Sequence, residues 1–94
     1  MDQKTKEFYE RLKVELDISN TWPTNYLFKF IVPTVSDNVE RVENAFDCMG
    51  AVINTKKSKT GKYTSISVDV TMKDSQEIVD KYVELSTIEG IVSL

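Results

Sequence analysis

Histidine is absent from this chain. With it go the Ser-His and Cys-His pairs of nucleophilic catalysis and the commonest metal ligand. Cysteine occurs once, as Cys48, so no internal disulfide can form, which fits a reducing cytoplasmic setting. Glycine is confined to positions 50, 61 and 90, too dispersed to cradle a phosphate, and neither a G-x-G-x-x-G nor a Walker pattern occurs. Two prolines leave little material for linkers. Nowhere does the chain approach the roughly 18 consecutive apolar residues of a membrane span, and its first residues lack the apolar stretch of a secretory leader. The expectation is a cytoplasmic protein that touches no membrane and has no catalytic residue, metal or cofactor.

What is present suits one small globular domain. A length of 94 residues allows one core between two layers but not two cores. The formal charge of −3 gives no global attraction to nucleic acid, so any basic site must be local. Residues 3 to 16 carry Phe8, Leu12 and Leu16 at steps of four, with Tyr9 beside them, and predict an amphipathic helix. It reads as an N-terminal extension over 1–21, closed by Trp22-Pro23, with the main domain over 22–94.

From Tyr26 to Val32, Tyr26, Phe28, Phe30 and Val32 alternate with Leu27, Lys29 and Ile31, which predicts a strand. Asp37 and Glu40 have capping-box spacing ahead of a helix whose stripe is Val39, Val42, Phe46 and Met49. That stripe places Cys48 beside the core as a packed thiol. A short strand over 51–55 leads through a lysine-rich turn containing Gly61 into the clearest strand, where Thr64, Ile66, Val68, Val70 and Met72 alternate with a polar set. Asp74 and Glu77 repeat the capping spacing before a helix bearing Ile78, Tyr82 and Leu85. The apolar tail Ile88 to Leu94 reads as a last strand with a bulge at Gly90. The order βαββαβ predicts an α+β, ferredoxin-like sandwich: a four-stranded antiparallel sheet with two helices on one face, plus the N-terminal helix.

Over residues 22 to 94 the chain resembles the YbeD-like family, small bacterial proteins of unknown function with an ACT-like, ferredoxin-like fold. The likeness rests on Trp22-Pro23, on Phe28-Lys29, and on a hairpin of the form S-x-x-G-x-Y-x-S-[VI]-[ST], here Ser58, Gly61, Tyr63, Ser65, Ile66 and Ser67. Tyr82 on the buried side of the following helix and a terminal strand ending in Leu94 continue it. Through the fold alone, the resemblance implies a regulatory or small-ligand-binding role.

A sheet covered on one face leaves the other open. Here that face would show Leu27, Lys29 and Ile31 beside Tyr63, Ser65, Ser67 and Asp69. Leu27 and Ile31 need a cover, which is either the N-terminal helix or a second molecule. Asp69 would neighbour Lys29 across the sheet, as an exposed cross-strand pair worth well under ~1 kcal/mol. This surface is the expected site for a protein partner, self-association or a small metabolite. Lys56, Lys57, Lys59 and Lys62 crowd the hairpin, either to block edge-to-edge pairing or, as the alternative function, to contact an anion or nucleic acid. Base stacking of the RNA-recognition type needs several aromatics on the third strand, and Tyr63 stands there followed by serines, so nucleic acid is the weaker expectation.

Overall fold

The computed structural model describes residues 2–94. Three helices and four strands follow in the order α1 (Gln3–Ser19), β1 (Thr24–Pro33), α2 (Asn38–Ala45), β2 (Val52–Lys57), β3 (Tyr63–Met72), α3 (Ser75–Leu85) and β4 (Val92–Ser93). The strands form one antiparallel sheet in the order β2-β3-β1-β4, so each of α2 and α3 crosses over a neighbouring strand, as the ferredoxin-like arrangement requires.

Period-two burial decides which side of the sheet is core. Along β3, Thr64, Ile66, Val68, Val70 and Met72 are buried, while their alternates are exposed or half-buried. Across the β1–β3 ladder Phe28 faces Val68 and Phe30 faces Ile66, so the buried sets of the two central strands coincide. Val42 and Phe46 from the α2 segment and Ile78 and Leu85 from α3 close over them. Phe28 is fully buried, with ring centroids of Tyr26, Phe46 and Tyr82 within 4.7–5.2 Å of its own. Each such large apolar side chain contributes about 1.5–3 kcal/mol on leaving water.

Local chemistry sets the helix ends. The Asp74 carboxylate accepts the Glu77 amide at 2.8 Å, and the Glu77 carboxylate accepts the Lys73 amide at 3.1 Å, so one orphan donor of α3 and the amide just ahead of its cap are satisfied. The same spacing at Asp37 and Glu40 makes no such cap: Asp37 forms no side-chain cap hydrogen bond. Instead the buried Asn38 side chain donates to the Pro33 carbonyl at 3.0 Å and ties the helix to the end of β1.

The stripe of α2 outlasts its helix. Val42 and Phe46 are buried and Val39 and Met49 half-buried as expected, yet regular helix stops at Ala45. The Ala45 carbonyl accepts from the Lys81 ammonium of α3, and the Met49 amide bonds Phe46 rather than Ala45. A tertiary partner thus replaces the next helical hydrogen bond, and the segment tightens into turns. Cys48 consequently lies in an exposed turn at φ 62°, not packed beside the core. The last strand is also shorter than its apolar run. Ile88 is buried in the turn after α3, and Gly90, at φ 81° against Pro33, turns the chain into β4 rather than forming a bulge.

The N-terminal helix begins with Asp2 accepting the Thr5 amide at 2.8 Å, which holds the Asp2 carboxyl below its usual range. It packs along α3, on the helical side of the sheet, and contributes Leu16 to the core. The Trp22 indole donates to the Asp17 carboxylate at 3.0 Å and fixes the joint between α1 and β1. No helix among the described residues is long and apolar enough to cross a membrane.

Candidate functional site

Because α1 goes to the helical side, it leaves the other face of the sheet uncovered. Leu27, Lys29 and Ile31 of β1 stand opposite Asp69, Ser67 and Ser65 of β3, and Pro33 stands opposite Tyr63. All seven expected surface residues therefore share one face. Leu27 is 51% exposed and Tyr63 52%, whereas Ile31 and Ser67 are half-buried between their neighbours.

Two further apolar residues join this face. Val92 of β4 pairs with Ile31, and Val52 of β2 pairs with Asp69. Both are at least half exposed. An apolar row of Leu27, Ile31 and Val92 thus runs along the β1–β4 side, beside a polar strip of Ser65, Ser67 and Asp69. Val92 could have been found from the sequence by extending alternation into the tail, but the tail's continuous apolar run hides which residues face out.

Asp69 sits opposite Leu27, one step along from Lys29, and accepts a hydrogen bond from the Asn25 amide group on the same face. The expected Lys29–Asp69 ion pair does not form. Lys29 therefore has no carboxylate partner among the described residues, where Lys81–Glu84 is the one ion pair.

The lysine cluster borders the same face. Lys56 lies opposite Ser65 and so points to the open side, Lys57 lies opposite Thr64 on the other, and Lys59 and Lys62 belong to the connecting loop. The loop is held by the Ser58 amide donating to the Tyr63 carbonyl at 2.8 Å and the Gly61 amide to the Ser58 carbonyl at 2.9 Å. All four lysines are exposed.

These placements polarise the molecule. The four strands and the hairpin loop carry five lysines, at 29, 56, 57, 59 and 62, and one acid, Asp69; the remaining segments hold the other 14 acids against seven bases. Lys29 and Lys56 stand on the open face against Asp69 alone, with Lys59 and Lys62 in the loop at its border, so a chain that is acidic overall has its basic side where the exposed apolar residues are. Among the described residues no group of histidine, cysteine and acidic side chains could hold a metal ion.

A family model described as "Protein of unknown function (DUF493)" matches residues 17–94, from the end of α1 through β4. No curated protein matches the chain.

Proposed function

The chain belongs to the DUF493 family, the YbeD family, whose function is unknown, and from the geometry we propose that it is a non-catalytic, regulatory protein-docking module. Its open sheet face receives a partner protein that presents an apolar centre rimmed by acidic groups. The observation that carries this reading is the coincidence of exposed Leu27 and Val92 with Lys29 and Lys56 on the one basic face of an acidic molecule. Apolar centres with charged rims are the common anatomy of protein interfaces, and complementary charge steers the encounter. The lone cysteine suits a cytosolic setting. The binding of nucleic acid through the lysine hairpin is less well supported, because Tyr63 is the one aromatic residue on this face.

The test is site-specific photocrosslinking in cells, with the reactive group at Leu27 or, as control, at Glu43 on α2. A protein captured from Leu27 alone is then purified and titrated against the full chain. Support requires amide shifts on β1, β3 and β4, an affinity that falls with salt, and loss of binding in Leu27→Asp. Adducts destroyed by nuclease, shifts confined to the helices, or a stable dimer of the chain alone in light scattering would each overturn it.

A further inference from the structure

A second surface, on the opposite side of the sheet, has a different character. Where α1 leans on α3 it leaves a cleft of about 350 Å³, walled by Phe8, Tyr9 and Leu12 of α1, Tyr26 of β1, Tyr82 of α3 and Leu94. No charged side chain lines it, and Ser93 is its one polar residue besides the tyrosines. We propose that this cleft binds a small, flat, uncharged molecule carrying a single hydrogen-bond acceptor, such as an aryl carbonyl compound.

The class of ligand follows from shape and from counting protons. The volume lies within the range of small-molecule sites, which are mostly apolar with a few convergent polar groups. Phe8 and Tyr9 meet edge to face at 5.4 Å, and Tyr26 and Tyr82 stand over the buried ring of Phe28, so the walls are aromatic surfaces that favour a planar guest. The Tyr26 and Tyr82 hydroxyls lie 2.9 Å apart and bond each other. Two hydroxyls bring two protons, and their mutual bond uses one. Neither hydroxyl makes a further hydrogen bond to a described residue, so the second proton is available to an acceptor in the cleft. A tyrosine hydroxyl is a donor at physiological pH in any case, and burial, followed by the bond to Tyr26, pushes that of Tyr82 further above its ordinary value. A charged guest would exchange its hydration for an apolar lining without a counter-charge.

The site is independent of the open sheet face, and either can fail without the other. The test titrates the isotopically labelled full chain with acetophenone and with ethylbenzene, which has a similar shape but lacks the carbonyl. Saturable amide shifts are expected at Phe8, Leu12, Tyr26 and Tyr82, with acetophenone bound about fivefold more tightly, the net worth of one neutral hydrogen bond. Tyr82→Phe keeps that preference, because Tyr26 then has its own proton free. The double variant Tyr26→Phe, Tyr82→Phe loses it while still binding both probes. Phe8→Ala, at a residue 55% exposed and so harmless to the core, weakens both probes alike. Shifts that do not saturate, shifts on β3, or a preference that survives in the double variant would refute the assignment.

Discussion

Neighbouring residues Leu27 and Phe28 give the sharpest test of how this sheet is built, because they are adjacent in sequence and opposite in environment. Phe28 is fully buried, with three aromatic rings within 4.7–5.2 Å, and Leu27 is 51% exposed. Replacing Phe28 by Ala removes a ring from a packed cluster and leaves a cavity, at a cost of about 3–5 kcal/mol. Replacing Leu27 by Ala removes three carbon groups, worth about 0.8 kcal/mol each if fully buried; at half burial the loss is about 1 kcal/mol. Against a total stability of about 5–15 kcal/mol the first change leaves a marginal protein and the second a nearly normal one. Urea unfolding followed by circular dichroism measures both, with an unchanged slope confirming that midpoints report stability. Phe28→Leu keeps the comparison usable should the alanine variant not fold. The run is repeated at two protein concentrations a hundredfold apart. A folded Phe28→Ala variant that costs no more than Leu27→Ala, or a Phe28→Leu variant that costs nothing, would refute the partition of the sheet into core and open faces. A Leu27→Ala cost that grows with concentration would show the face covered by a second copy, against the proposal of a different partner.

Three other outcomes follow from local geometry. A Cβ on Gly90 would stand 2.8 Å from the Pro33 ring at φ 81°, whereas one on Gly61 meets open space at φ 75°; Gly90→Ala should therefore destabilise more than Gly61→Ala, the latter by about 1 kcal/mol, as thermal melts would register. Asp74→Ala removes a cap and should cost about 1 kcal/mol, while Asp37→Ala, at a residue that makes no side-chain cap bond, should be near neutral in the same urea assay. Tyr82 is held protonated in the fold while the unfolded chain ionises at about 10, so its contribution is full below that pH and is lost above it. Alkaline titration of tyrosinate absorbance should show one ring ionising only with unfolding, and Tyr82→Phe should flatten the fall in stability.

How far the sequence discloses this arrangement depends on whether a pattern is settled within its own segment. The alternation from Thr64 to Met72 and the stripe through Ile78 and Leu85 are repeated at a fixed period, and both faces emerge as read. The length of α2 is not settled locally, because the Lys81 side chain, 36 positions away, takes the carbonyl that a longer helix would use. Two sequences with identical capping spacing, at Asp37 and Asp74, behave differently because the buried Asn38 is committed to Pro33 at the end of β1, and the helix start follows that bond. The alternation within β1 shows which residues form the open face, but the route of α1 is invisible, since Phe8, Leu12 and Leu16 would suit either side of the sheet.

That route has a consequence for both proposed surfaces. A helix with one apolar stripe can cover one face only, and packing α1 on α3 leaves Leu27 and Val92 exposed while its first turns stand off from Tyr26 and Tyr82. The open face and the loop at its border also carry Lys29, Lys56, Lys59 and Lys62 against the one acid Asp69, because the other acids lie on the helices and the segments that join them. Had α1 crossed the open face, its stripe of Phe8, Leu12 and Leu16 would have covered Leu27 and Ile31, and the apolar row would be closed within the molecule. Its absence from that face leaves the charge and the apolar row available together, which is the condition a docking surface for an acidic partner requires.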